Sequence, residues 1–137
     1  MADKTDSFPE DLQPEIRVLA MPADTNASGD IFGGWLMSQV DIAGSILAHQ
    51  AANGRVVTVA VNEFVFLKPV FVGDLVSIFA ELINIGNTSL QIELSAYAER
   101  QRGVRGCHRV AHAKMTYVAI DEDRKPRPVK TNCHLPA

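Results

Sequence analysis

Residues Gly34 to about Ala52 form the one long stretch of this chain that reads as a helix, and they are apolar over much of its circumference. Leu36, Val40, Ala43 and Leu47 fall on a single stripe at helical spacing, and Trp35, Ile42 and Ile46 widen it. A helix of this kind has no large polar face to turn to water, so something extensive must wrap it. A sheet is the most economical wrapper. Asn53-Gly54 supplies the stop.

The rest of the chain supplies strands. Glu15 to Met21 is a short strand candidate, and Asp24 to Phe32, rich in Asn, Asp, Ser and Gly, is loop. Arg55 to Phe66 is dense in Val, Phe and Thr; Leu75 to Ile85 follows the break at Lys68-Pro69 and Gly73-Asp74. Gly86-Asn87 marks a hairpin. Beyond it Leu90, Ile92, Leu94, Ala96 and Ala98 alternate with polar residues and Tyr97, the period of a half-buried strand. A basic turn, Gln101 to Gly106, leads into a last strand from His108 to Ile120. The predicted order is β-α-β-β-β-β. It is an α+β domain over residues 15–121, one long central helix wrapped by a five- to six-stranded antiparallel sheet. Residues 1–14 read as a flexible N-terminal arm and 122–137, with Pro126, Pro128 and Pro136, as a tail. The unpaired sheet edge predicts a homo-oligomer.

Composition narrows the function. A chain of 137 residues holds one domain with a real core, and a net charge of −3 argues against nucleic acid as partner. No apolar run approaches the roughly 18 residues of a membrane span. Cys107 and Cys133 have no paired spacing and no apolar segment opens the chain, so the reading is a reduced, cytoplasmic protein without a membrane partner.

The chemistry concentrates at the start of the helix. Gly33-Gly34 can let a ligand approach free backbone N–H groups where the helix dipole favours negative charge, or can be a turn and nothing more. Asp41 lies about two turns further along, surrounded by small residues that include Gly44. It can serve as a base, or simply hydrogen-bond a backbone group. Gly44 costs about 1 kcal/mol against Ala in a helix interior, which implies that something packs closely beside the acid. A carbonyl-polarising helix end and a carboxylate on the same helix suit attack by water on an acyl group. Asn26 and Asp30 read as turn residues on spacing alone. His108 and His112 share one face of the last strand, because i and i+4 have the same parity, but no third ligand accompanies them, so no metal site is assigned. Arg100, Arg102, Arg105 and Arg109 around the last turn form a solvated face or a phosphate grip.

The segment Met21-Pro22-Ala23-Asp24-Thr25-Asn26, continuing through Gly29-Asp30-Ile31-Phe32-Gly33-Gly34-Trp35-Leu36-Met37 to Asp41, resembles the YciA-type acyl-CoA thioesterases of the hotdog-fold superfamily. Gly54-Arg55-Val56-Val57-Thr58, Phe66-Leu67-Lys68-Pro69-Val70 and Val72-Gly73-Asp74 extend the resemblance over about residues 15–121. It implies a hotdog fold with sheets paired in a dimer, active sites at the dimer interface, and a hexamer built as a trimer of dimers. It further implies catalytic roles for Asp41, Asn26 and Gly34, with Asn26 reaching across from the partner chain. Gly33 and the turn Gly86-Asn87-Thr88-Ser89 would lie along coenzyme A, and Arg105 would meet its phosphates. Asn87 and the Gln101–Arg109 turn depart from the family's pattern.

The implied reaction is hydrolysis of acyl-CoA to free coenzyme A and a fatty or short-chain acid, with no metal or cofactor. A good thiolate leaving group makes one carboxylate base and one polarised carbonyl sufficient. The alternative from another class is a non-catalytic acyl-CoA sensor on the same fold. A hotdog-fold hydratase fits less well, because no Asp-with-His pair stands beside the helix start. Phe64, Phe66, Val70 and Phe71 serve equally as core or as tunnel wall, so chain-length preference is not legible.

Overall fold

The computed structural model describes residues 6–104 and 106–129. Its elements run β1 (Ile16–Leu19), α1 (Gly33–Ala52), β2 (Val56–Phe66), β3 (Leu75–Ile85), β4 (Ser89–Glu99) and β5 (Cys107–Ala119). The five strands form one antiparallel sheet in the order β1-β3-β4-β5-β2. The expected order of elements holds, with five strands.

The helix begins at Gly33, one residue earlier than its apolar stripe suggests. It ends where Asn53 turns into the left-handed region at φ 51° and the Gly54 N–H returns to the His49 carbonyl at 3.2 Å. Leu36, Val40, Ala43, Leu47, Ala48 and Ala51 are buried against the sheet. The alanines, with Gly44, let helix and strands approach closely. The sheet meets them with Leu90, Ile92, Leu94 and Ala96 of β4 and Ala113, Met115 and Tyr117 of β5, all essentially inaccessible to solvent. Their period of two leaves the alternate residues on the outer face.

One irregularity overturns a parity argument. Ala111 pairs with Ala96 and Arg109 with Tyr97, so Val110 is an extra residue in β5 and both Val110 and Ala111 are buried. Past the bulge the alternation inverts. His108 lies opposite Ala98 on the helix side, whereas His112 lies opposite Ser95 on the outer face. The two histidines therefore do not share a face. His112 instead sits within 3.0 Å of the Glu93 carboxylate, with Glu63 at 3.9 Å.

On the outer face, Phe8 packs on Phe79 and Tyr97 with ring centroids 5.1 and 5.5 Å away. Asp6 accepts the Arg109 N–H at 2.9 Å and pairs with Lys68 at 2.9 Å. Those contacts tie residues 6–8 to the sheet. After β5 the chain folds back. Arg127 donates to the Ala52 carbonyl at the helix C-terminus, and the Val129 N–H donates to Asn87 in the β3–β4 turn.

β2 is an edge of the sheet and runs for 11 residues. Val59, Val61 and Val65 along it are exposed, as are Phe66 and Leu67 where it ends. An edge this long and apolar is a template for pairing with another strand.

Candidate active site

Asp41 is half-buried in the middle of α1, where the sheet brings two side chains to it. Thr58 of β2 and Tyr117 of β5 are register partners on the helix side of the sheet. The Thr58 hydroxyl donates to Asp41 Oδ1 at 2.7 Å. The Tyr117 hydroxyl is shared between that same oxygen, at 3.1 Å, and the Asp41 backbone carbonyl, at 3.0 Å. One carboxylate oxygen is thus fixed by two donors, while no described residue hydrogen-bonds Oδ2.

Burial of the phenol, and after it the Asp41 charge, pushes the Tyr117 hydroxyl far above the usual tyrosine range. It stays protonated and remains a donor. Gly44 makes this arrangement possible, because a Cβ there would collide with the Tyr117 hydroxyl and lie 2.9 Å from Cζ. Gly44 therefore answers the question its helix cost raised: the close neighbour is the hydroxyl that orients the acid.

The N-terminus of α1 carries the second feature. Phe32 is the N-cap and offers no side-chain acceptor, and no described hydrogen bond uses the Gly34 N–H. A Cβ at Gly34 would meet only Phe32 Cδ1, at 3.7 Å, an ordinary contact. Packing within the chain does not require glycine at 34. A Cβ at Gly33 would touch the Phe66 ring at 3.4 Å.

The remaining expected residues are dispersed. Asn26 is exposed, and its side-chain oxygen accepts the N–H groups of Ser28 and Asp30 at 2.9 and 3.2 Å, which is the turn role read for it from spacing. Its side-chain NH2 is left to donate elsewhere. Gly86, Asn87, Thr88 and Ser89 form the β3–β4 turn, closed by the Gly86 N–H on the Ser89 carbonyl at 2.8 Å. Ser89 pairs with Val118 and Val118 with Val57, so this turn lies at the sheet end where β2 begins. Arg105 lies outside the described residues. Arg100 is engaged by Asp74 at 3.4 Å and sits over the Phe71 ring.

Sequence reasoning missed two residues. Thr58 fell within a stretch quoted for its resemblance but received no role. Tyr117 looked like any inward residue of the last strand.

Along the axis, Gly34 and Asp41 are seven residues, about 10.5 Å, apart. A base and an oxyanion donor serving one tetrahedral centre stand at most about 8 Å apart, since each reaches its own oxygen over one hydrogen bond and the two oxygens are about 2.3 Å from each other. The main-chain separation along one helix is longer than that reach, so the spacing favours an amide from a second helix.

Residues 28–105 match a family model described as the thioesterase superfamily. The acyl-CoA thioester hydrolase YciA of Salmonella typhimurium is 50% identical over 116 residues, covering 83% of this chain and 87% of that protein. A hexameric thioesterase from Yersinia pestis superposes with a TM-score of 0.85 at 48% identity, over 91% of this chain and all of that one. A hexameric hotdog fold thioesterase of Campylobacter jejuni gives 0.80 at 42% identity, over 85% of this chain and 90% of that one.

Proposed function

This chain belongs to the thioesterase superfamily and has its hotdog fold, and from that premise we propose that it is an acyl-CoA thioester hydrolase whose base is Asp41. The observation that carries the mechanism is the asymmetric carboxylate, with Oδ1 fixed by Thr58 and Tyr117 and Oδ2 unclaimed. Such a group is oriented without being neutralised, and its free oxygen can take a proton from water.

The water oxygen attacks the thioester carbonyl carbon as Asp41 Oδ2 accepts its proton. The carbonyl electrons move to oxygen, and a helix N-terminal amide holds the resulting anion. Collapse breaks the carbon–sulfur bond, and the proton held by Asp41 goes to the departing thiolate. The products are a carboxylic acid and free coenzyme A, and these steps require neither metal nor cofactor.

Because the rise from Gly34 to Asp41 exceeds the reach of one carbonyl group, the amide assigned to the carbonyl at Asp41 is the partner subunit's Gly34. Antiparallel pairing of two β2 edges across a two-fold axis sets two helices side by side in opposite directions, which brings each Asp41 toward the other helix's start. The free amide of Asn26 fits the same inter-subunit role. A dimer formed in this way satisfies the exposed edge and creates two equivalent sites. Further assembly into a hexamer follows the state of the Yersinia and Campylobacter relatives. No helix among the described residues is long and apolar enough to cross a membrane, and the protein is proposed to act in the cytoplasm.

Replacing Asp41 with Asn tests the reading. Thiol release from a panel of acyl-CoA substrates should fall at least about 100-fold, while calorimetric binding of coenzyme A persists. A wild-type protein that binds acyl-CoA saturably and frees no thiol is a sensor, and the hydrolase reading then fails.

A further inference from the structure

A cavity opens beside the N-terminus of α1, with Phe32, Gly33 and Leu36 on the helix side and the segment from Phe66 to Val70 as the facing wall. Beyond Phe66 that wall belongs to no helix or strand, so its place is set by what it is tied to. The Leu67 N–H donates to the carbonyl of Val110, the bulge residue of β5, at 2.8 Å. The Val70 carbonyl accepts the Ile31 N–H at 3.2 Å, and Arg100 donates to the Pro69 carbonyl at 3.0 Å. A further tie comes from the start of the chain, where Lys68 Nζ stands 2.9 Å from Asp6 Oδ2.

An ion pair between two free surface side chains adds little. Asp6 is not free. Its other oxygen accepts the Arg109 N–H at 2.9 Å, next to the bulge, and Phe8 two residues on packs against Phe79 and Tyr97. The Asp6 side chain is 15% exposed. The Arg109 amide first, and Lys68 with it, hold its carboxyl below the usual carboxylate range, so it is charged at neutral pH. One carboxylate thus joins the N-terminal segment, the bulged end of β5 and the cavity wall. The wall in turn meets the helix start. A Cβ on Gly33 would lie 3.4 Å from the Phe66 ring, which places that ring over the residue preceding Gly34.

We infer that Asp6 is a positioning residue for hydrolysis: through Lys68 it fixes the Phe66–Val70 wall against the start of α1, and with it the Gly34 amide. The inference rests on the hydrolase reading and gives Asp6 no contact with substrate. A hydrogen-bond donor for a developing anion acts only where it is held, and a misplacement of about 1 Å can cost about 100-fold in rate. Loss of one tie to the wall should cost about tenfold. Residues 6–8, in a segment whose composition reads as a loose arm, therefore bear on turnover from the far face of the sheet.

Asp6→Ala should lower kcat for butanoyl-CoA about tenfold. Its calorimetric affinity for coenzyme A should stay at the wild-type value, because the product has no carbonyl for the amide to hold. Lys68→Met should lose a similar factor, and Asp6→Ala/Lys68→Met should be no slower than either single variant, since both remove the same tie. Trp35, the one tryptophan of the chain, follows Gly34 directly and packs partly buried against the core. Its quenching by acrylamide should rise in Asp6→Ala as the helix start loosens. Wild-type kcat or wild-type quenching in Asp6→Ala overturns the inference. So do single losses that multiply in the double variant, and so does a parallel loss of coenzyme A affinity, the mark of general disruption. If Asp6→Ala does not fold, Lys68→Met decides by the same readouts. Failure of the hydrolase reading is separately visible, as absence of thiol release by the wild type, and Trp35 quenching then decides the role of Asp6 alone.

Discussion

Gly44→Ala gives opposite answers according to whether the helix or the site is considered. Helix propensity alone predicts a gain of about 1 kcal/mol for replacing an interior glycine. The structure predicts a loss. The new methyl would occupy the place of the Tyr117 hydroxyl and lie 2.9 Å from Cζ and 3.1 Å from Cε2 of a ring with no solvent exposure to retreat into. Overpacking a filled core costs about 1–3 kcal/mol. Displacing a buried hydroxyl from its acceptors costs a further 1–3 kcal/mol or so. Set against the propensity gain, the net is a destabilisation of about 1–5 kcal/mol, or a drop in Tm of roughly 3–20 °C for a domain of this size. Turnover should fall about tenfold, since Asp41 Oδ1 loses one of its two donors while Thr58 remains. Thermal unfolding at fixed protein concentration and steady-state thiol release measure both effects. Adding Tyr117→Phe removes the oxygen that the methyl strikes, so the double variant should be more stable than Gly44→Ala alone, with a coupling of about 1 kcal/mol or more. A Gly44→Ala protein that is stabilised by its propensity increment and keeps wild-type kcat would refute the argument that this glycine exists for Tyr117.

Two further outcomes follow from the same geometry. Gly34→Ala should fold with a nearly unaltered Tm, because its Cβ would meet only Phe32 Cδ1 at 3.7 Å. Its kcat should nonetheless drop about 100-fold as the methyl blocks approach to the amide, and a fully active variant would remove Gly34 from the mechanism. Val59→Lys with Val61→Lys places two charges on the exposed β2 edge. Size-exclusion chromatography should show dissociation of the oligomer, with loss of activity in step, and an active monomer would exclude a shared site.

Local patterns carried most of the architecture. The apolar circumference of α1 announced a wrapped helix and Asn53 its end, and the period of two in β4 survived intact, because each of these depends on residues a few positions apart. The bulge at Val110 left no such mark: Arg109-Val110-Ala111 looks like ordinary strand, and the extra residue is visible only against the pairing with β4. Tyr117 was hidden for a related reason. Its significance lies in a contact with Asp41, 76 residues earlier, and an inward aromatic on a buried strand has no feature of its own. Gly44 was the one legible trace of that contact, an unfavourable helix residue whose cost could be noticed before its cause was known. The separation of Gly34 from Asp41 was also computable from the chain, since seven residues have a fixed rise; what the chain does not display is the second helix proposed to close the distance.

The extra residue in β5 has a bearing on how this chain can change its length. Deleting Val110 would leave Ala111 opposite Ala96, Arg109 opposite Tyr97 and His108 opposite Ala98, so the shortened strand would keep both of its faces. Losing a paired residue of this strand would turn one side of it over, whereas at Val110 the loss of one codon exchanges nothing between the two surfaces.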